Sequence, residues 1–294
     1  MPESIELTII IISWNTRAYL ERCLDSLADC SAPLKIIVVD NASSDGSGAL
    51  VKARFPGVNL ICNDTNRGFA AAVNQGISRT SGGAILLLNP DCVVKPGSIE
   101  YCLNKLKTDR QIGIIGCLLR NVDGSIQGSV RHFPGLVDQA LILLKLHRVF
   151  PNLTALRRYF MSDFDYGAEQ RVDQVKGAFF MVARDVIDRI GLFDERFWIW
   201  FEEVDYCYRA KQAGFAVMFT PVVEIVHASG ESFQSVWTVK RQKLFTSSLV
   251  KYFNKYHKGW RAYLIRACVP ISYVIALLAT PLFIFRKKYL LPNG

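Results

Sequence analysis

The chain has neither of the common glycine-rich phosphate loops. No GxGxxG follows the first apolar run, and no GxxxxGK[ST] occurs anywhere in the 294 residues. A dinucleotide-dependent dehydrogenase and a P-loop NTPase are therefore not expected. CxxC pairs are missing too: the eight cysteines (23, 30, 62, 92, 102, 117, 207 and 268) stand singly. That spacing offers no disulfide framework and no zinc site, and it fits a reducing, cytoplasmic setting. The opening MPESIELTIIII carries acids but no basic n-region, so no signal peptide is expected there. Acidic residues are absent from one whole region. None follows Glu231, whereas eleven of the 35 Lys and Arg do, which leaves 24 bases against 26 acids in residues 1–231. The net charge of +9 therefore belongs to the tail. This composition boundary predicts a body, 1–231, and a tail, 232–294, and it is the tail that asks for a partner.

The body reads as alternating strands and helices. LTIIIISW is a continuous run of mostly β-branched residues, as in a strand buried on both faces. RAYLERCLDSLADC has helical spacing at Leu20, Leu24 and Leu27, and LKIIVVD is the next strand. NASSDGSGALVKARF gives a turn and then a helix, with Ser44 or Asp45 as cap. VNLICN is a third strand, RGFAAAVNQGISRT a helix opening on glycine, and GAILLLNPD a fourth strand. Four strands alternating with three helices predict an α/β fold with a parallel sheet, and ligands beyond the carboxyl ends of its strands. Polar residues collect at those ends: Asn15, Asp40 and Asn41, Asn63 and Asp64, Asn89 and Asp91. Four such ends read as a binding rim.

Asn89 and Asp91 are hard oxygen donors two residues apart, with Pro90 fixing the turn between them. Two readings stand for this stretch: a divalent-cation site bridging to a diphosphate, or a plain Asn-Pro-Asp turn. Farther on, Val175–Val182 reads as a strand and Arg184–Ile190 as a short helix. Phe197, Trp198, Trp200 and Phe201 then lead into Glu202, Glu203 and Asp205. Helical spacing puts Asp205 and Arg209 on one face and Glu203 on another. A carboxylate beside aromatic walls and near a second carboxylate makes a general base, while the aromatics can stack on a sugar. An acidic helix N-terminus is the other reading. His132, His147 and His257 have no ligand-spaced neighbours. His227 follows an apolar run at a strand end and reads as a third metal ligand or as a structural histidine.

In this order, IISWN, VVDNASSDGS, NRGFAAAVNQG, LLLNPD, VKGAFFMVARDVIDRIGLFDERFWIWFEEVDYCYRAKQAG and a later histidine resemble the family 2 inverting glycosyltransferases of the GT-A fold, and most closely the bacterial rhamnosyltransferase-like members. The resemblance spans about Leu7 to Gly230. It implies a Rossmann-like, mostly parallel sheet flanked by helices, with a nucleotide-sugar half (1–117) and an acceptor half (118–231). It implies that Asp40 holds the base of a nucleoside diphosphate sugar, with Asn41 and Asp45 beside it. Asn15, Asn66, Arg67, Gly68, Asn74 and Asn89 would complete the nucleotide and sugar side. Asn89-Pro90-Asp91 stands where the family has its metal-binding Asp-x-Asp, so Asp91 and His227 would hold Mg²⁺ or Mn²⁺ despite the Asn. Glu203 stands where the family usually has the Asp of a Glu-Asp pair and would be the base, with Glu202 and Asp205 in support. Gly177, Trp198 and Trp200 would border the acceptor.

In the tail, Phe245, Leu249, Phe253, Tyr256 and Trp260 recur at steps of three and four, with Lys251, Lys255 and Lys258 off the stripe. This predicts a basic amphipathic helix on a membrane surface; nucleic acid and plain solvent are the rival partners for such a charge run. Ala267–Phe285 then has nineteen residues and no charge, about 28 Å as a helix. That run favours lipid over nucleic acid. Arg266 and Arg286–Lys288 bracket it, and Pro270 and Pro281 leave a re-entrant hairpin as an alternative to a span. The expected protein is a membrane-associated transferase at the cytoplasmic face of a bacterial inner membrane, taking a nucleoside diphosphate sugar and a glycan or lipid-linked acceptor. A nucleotidyltransferase of related fold and an inactive membrane scaffold are the competing expectations.

Overall fold

The computed structural model describes residues 7–28, 30, 34–80, 82–228 and 238–289. Strand β1 (Leu7–Ser13) is buried at every position, as its isoleucine run requires. It pairs in parallel with β2 (Leu34–Asp40) and β4 (Ala84–Leu88), and β2 pairs in parallel with β3 (Asn59–Cys62). Helices α1 (Arg17–Asp25), α2 (Ser47–Arg54) and α3 (Phe69–Ile77) connect them. The register sets Ser13 beside Asp40 and Asp40 beside Cys62, so three strands end level with one another. Helix α2 starts at Ser47 behind a left-handed Gly46 (φ 84°), so the cap lies one or two residues later than the expected Asp45 or Ser44.

Beyond β4 the chain continues through β5 (Cys92–Val94), α4 (Ser98–Thr108), β6 (Ile112–Arg120), β7 (Ile126–Gln127), β8 (Val130–Arg131), α5 (Leu136–Leu143) and α6 (Thr154–Phe160). Strands β9 (Gln170–Val172), β10 (Gln174–Val175) and β11 (Phe179–Val182) follow, then α7 (Arg184–Ile190), α8 (Glu202–Gln212) and β12 (Ala216–His227). The spine of the large sheet runs β3-β2-β1-β4-β11-β6-β12-β5, with β7 on β6 and β9 on β12. Strand β11 enters antiparallel between β4 and β6. The single strand expected over Val175–Val182 is therefore broken. Lys176-Gly177-Ala178 separates β11 from β10, which leaves to pair with β8. The break sits at the rim, where Asn89 N donates to Ala178 O at 2.9 Å.

Two apolar layers cover the two faces of the sheet. A third core lies outside them: Leu143, Phe197, Phe201 and Val204 pack with Leu249, Tyr252, Phe253, Ala262 and Ile265. It joins α5 and the start of α8 to α9 (Thr238–Tyr256) and α10 (Trp260–Tyr289). This corrects the reading of α9 as a membrane-surface helix. Its apolar stripe is covered by protein, with Leu249 and Phe253 fully buried, and Trp260 falls on the next helix. The boundary expected at 231/232 lies outside the described residues, but the third core is built from both sides of it. Helix α10 runs unbroken through Pro270 and Pro281, so the hairpin alternative is not adopted. Trp260–Leu278 is long and apolar enough to cross a membrane, at mean hydropathy 1.5, and its outer face exposes Trp260, Tyr263, Ile271, Val274 and Leu278.

Asp205 locks this assembly together. The fully buried carboxylate accepts from Arg209 Nε at 2.8 Å, Lys255 Nζ at 2.5 Å and Tyr256 Oη at 2.6 Å. Lys255 also reaches Asp194 Oδ2 at 2.8 Å. Asp205→Ala would leave two cations facing an empty buried site, and removing one partner of a buried pair costs about 3–5 kcal/mol. Equilibrium urea unfolding is expected to show a loss of that size. A loss below about 1 kcal/mol would mean that the clamp carries little of the stability.

Candidate active site

The first part of the rim is a network of carboxamides beyond β2 and β3. Asn41, which is buried, donates through Nδ2 to Asn66 Oδ1 (2.9 Å) and Gly68 O (3.1 Å). Its Oδ1 accepts from Arg67 N (3.0 Å) and Asn63 Nδ2 (3.1 Å). Asn63 and Gln75 exchange two bonds of 2.9 Å. Asn41 therefore builds the Asn66-Arg67-Gly68 loop, and the exposed Arg67 side chain is what that loop presents. Gly68 (φ 85°) is obligatory, because a Cβ there would sit 2.6 Å from Trp198 Cδ1 and from Trp198 O. Asp40 lies just under this rim, accepting from Ser43 N at 3.1 Å and abutting Gly48. Asn15 takes a left-handed conformation (φ 54°), remains exposed, and ties into the Ser43-Ser44 loop.

Three expected ligand contacts are corrected here. Asp45 is engaged by backbone: Oδ2 accepts from Arg17 N at 2.8 Å, and Oδ1 accepts from Ser47 N and Oγ. Asn74 is fully used as a staple. It accepts from Phe193 N (3.0 Å) and donates to Phe193 O and Glu195 Oε1 (both 2.9 Å). Trp198 belongs to the nucleotide-side loop, packed on Gly68, with its carbonyl accepting from Phe69 N at 2.7 Å. Aromatic content marked the segment; it did not say which loop the ring would meet.

The second part is the turn after β4. His227 closes β12 opposite Cys92 on β5, and its Nε2 lies 3.3 Å from both Asp91 Oδ1 and Asn89 Nδ2. Asp91, Cys92 and His227 bring three donor atoms within 4.8 Å of one another. Burial, with the Asp91 charge adding, pushes the Cys92 thiol well above its usual range, and it bonds Ala178 O. That leaves Asp91 and His227 as the usable pair.

The tautomer of His227 follows from its neighbours. Gln127 Nε2 donates to Asn121 Oδ1 (2.7 Å) and to the His227 carbonyl (3.4 Å), so the other terminal atom is the oxygen. That oxygen accepts from Lys176 Nζ at 2.6 Å and lies 2.7 Å from His227 Nδ1. Nδ1 then carries a proton, and Nε2 is the nitrogen turned toward Asp91. An imidazole nitrogen facing a carboxylate oxygen fits a divalent cation, which both would ligate.

The third part is a cavity of about 280 Å³ bordered by Arg131, Tyr159, Lys176, Trp200, Glu203 and Phe245. Glu202 and Glu203 open α8 behind Trp200 and Phe201, both at positive φ (61° and 69°). Such strain in bulky residues persists only where surroundings enforce it, and it is commonest at functional sites. Glu202 Oε2 and Glu203 Oε2 are buried without a hydrogen-bond partner. Burial raises both carboxyls. The like charge of Glu203 lifts Glu202 further, well above the ordinary range, whereas Arg131 and Lys176 moderate the rise at Glu203. Gly177 lies against Glu203, since a Cβ there would sit 3.8 Å from the Glu203 Cβ. Asp205, expected with them, is a correction: it points into the clamp of Arg209, Lys255 and Tyr256.

Gln127, Arg131 and Lys176 were not picked out from the sequence. Gln127, Ser129 and Arg131 do alternate in QGSVR, a period-two pattern that places them on one face of an extended segment. His132 also has a partner that spacing did not show, Asp173 at 2.7 Å.

The model for "Glycosyl transferase family 2" matches residues 8–166. The chain is 29% identical over 240 residues to the N-acetylglucosaminyl-diphospho-decaprenol L-rhamnosyltransferase of Mycobacterium tuberculosis, covering 77% of each chain. It is 25% identical over 229 residues to the rhamnosyltransferase WbbL of Escherichia coli (strain K12), covering 74% of this chain and 82% of that one. Among solved structures, the mannosyltransferase PcManGT from Pyrobaculum calidifontis, in complex with GDP-Man and Mn²⁺, superposes with a TM-score of 0.57 at 19% identity. The match covers 93% of this chain and 74% of that one. GalNAc-T7 with UDP, GalNAc and Mn²⁺ gives 0.60 at 17%, covering 85% and 48%. The α/β architecture is thus GT-A-like.

The tautomer relay makes a prediction. Gln127→Leu removes the acceptor for Nδ1–H, and losses of such outer partners weaken metal affinity about 10–100-fold. Mn²⁺ titration followed by electron paramagnetic resonance, with a nucleoside diphosphate present, is expected to show that loss. Unchanged Mn²⁺ affinity would mean that His227 is not a ligand.

Proposed function

The chain belongs to glycosyl transferase family 2, and on that basis we propose that it transfers L-rhamnose from a nucleoside diphosphate sugar, such as dTDP-rhamnose, to a lipid-linked glycan acceptor with inversion, in the synthesis of a cell-surface polysaccharide. The names of the similar rhamnosyltransferases support the sugar and the lipid-linked acceptor. The observation that carries the transfer itself is Glu203: a carboxylate with an unpartnered buried oxygen, bordering an open cavity beside the Asp91–His227 end of the sheet.

In this reading Asp40, Asn15 and the Asn66-Arg67-Gly68 loop hold the nucleotide side. Asp91 and His227 hold Mn²⁺ or Mg²⁺. Bound there, the cation supplies charge neutralisation at the leaving diphosphate. The acceptor sugar enters the cavity against Trp200 and Gly177. Glu203 takes the proton of the acceptor hydroxyl as that oxygen bonds to the anomeric carbon. The bond from the anomeric carbon to the diphosphate oxygen breaks on the opposite face, which inverts the centre in a single displacement. Glu202, held protonated, keeps the negative charge of the pair on Glu203.

Glu203→Gln is expected to slow transfer by roughly 10²–10⁴-fold, the usual worth of a general base, with nucleoside diphosphate binding retained. Because the Glu203 pKa is raised, wild-type kcat/KM falls on the acid side at a pH above the ordinary glutamate range, as the base protonates. Proton NMR of the product is expected to show the anomeric configuration opposite to the donor's; retention would overturn the mechanism.

We further propose that the exposed face of α10 binds the bilayer, at the cytoplasmic side. Its length, hydropathy and bare apolar residues support this. The full chain is expected to float with lipid vesicles in a density gradient, and the double variant Ile271→Lys, Leu278→Lys to remain at the bottom. Equal flotation of both would exclude α10 as the anchor.

A further inference from the structure

Arg131 ends β8 at the mouth of the cavity that Glu203 borders. Its guanidinium is set over two aromatic rings, 5.7 Å from the centroid of Tyr159 and 5.2 Å from that of Phe160. Stacking of this kind uses the face of the guanidinium and leaves its N–H edge outward. Among the described residues that edge has neither a hydrogen bond nor a carboxylate. Glu203 stands in the same cavity, close enough to feel the Arg131 charge, yet the two do not pair. A cation held rigid beside an unpaired carboxylate, with open space between, is arranged for a molecule that carries a hydroxyl at one end and an anion at the other.

The donor's diphosphate does not fill that role. Its cation site, Asp91 and His227, lies behind Gln127 and Lys176, and the Lys176 ammonium is already bonded to Gln127. Exposed apolar side chains stand in the segment that leads into the Tyr159 platform. Val149, Phe150 and Leu153, just before α6 with its Tyr159, are 67%, 54% and 42% exposed.

We propose that Arg131 is the anion-binding residue of the acceptor subsite and grips the phosphoryl group joining the acceptor sugar to an apolar carrier. This deepens the function proposed above and rests on it. A planar fork suits a phosphate edge-on, and the Tyr159–Phe160 platform pre-orders it. The distance from phosphate to reacting hydroxyl then becomes a selection rule: an acceptor of the wrong length meets either Arg131 or Glu203, but not both.

The probe is farnesyl diphosphate, titrated calorimetrically into the full chain in detergent with EDTA, so that no cation holds the diphosphate elsewhere. Farnesol, inorganic pyrophosphate and anionic phospholipid vesicles serve as separate arms. Arg131→Gln is expected to weaken farnesyl diphosphate about tenfold or more, the usual effect of losing a charged hydrogen bond, and to leave farnesol unchanged. Arg131→Lys is expected to recover part of the loss. Equal affinity of wild type and Arg131→Gln for farnesyl diphosphate would overturn the proposal. So would a loss confined to the vesicles, which would assign the phosphate to the bilayer. Binding of dTDP with Mn²⁺ is the control. If it persists in Arg131→Gln, the variant is folded and the donor site intact. If wild type binds no nucleoside diphosphate, the functional reading fails rather than the role of Arg131.

Discussion

At the end of the sheet the Nε2 of His227 and the carboxylate of Asp91 face each other 3.3 Å apart, with the Asn89 amide against the same nitrogen. The structure commits several unrelated elements to maintaining this contact. Strand β12 runs twelve residues to return His227 beside Cys92. The two-residue strand β7 brings Gln127 under the imidazole, and the break between β10 and β11 frees Lys176 to hold Gln127 in turn. The small irregular pieces of the second half of the chain make sense as supports for one ring.

Charge is partitioned around that contact. Asn89 replaces a carboxylate with a donor, and its amide nitrogen approaches Nε2 where an Asp would repel it. Glu203 borders the adjoining cavity, where burial favours its protonated form while backbone N–H groups and the charges of Arg131 and Lys176 favour the ionised one. Lys176 is the cation that feels both carboxyl groups, Asp91 and Glu203.

How far the sequence reveals this depends on the range of the interaction. The first four strands were legible because each is a buried apolar run ending in a polar turn, a pattern contained within one segment. Asp91, His227 and the Glu202–Glu203 pair stood out by chemistry and position, helped by the family resemblance, and the fold brings Asp91 and His227 within 3.3 Å of each other. Asn74, Trp198 and Asp205 have the right chemistry, but their partners come from distant segments, whereas Asp45 is taken up both by Arg17 and by Ser47 two residues on. Asn74 meets Phe193, Asp205 meets Lys255, and Trp198 meets Gly68. Polar groups of this kind hold loops together as readily as they bind ligands, and only the fold distinguishes the two uses. Helix α9 was misread likewise, because an amphipathic stripe does not say whether lipid or protein covers it.

The third core bears on how this enzyme can be handled outside a membrane. Cutting the chain where its charge changes sign would strip Leu249, Tyr252 and Phe253 from Phe197 and Phe201, and would leave Asp205 buried without Lys255 and Tyr256. The helix thus bared is the one that opens with Glu202 and Glu203. The exposed apolar residues of α10 are the ones that can be made polar without touching this core, because the basic tail is packed into the body of the fold.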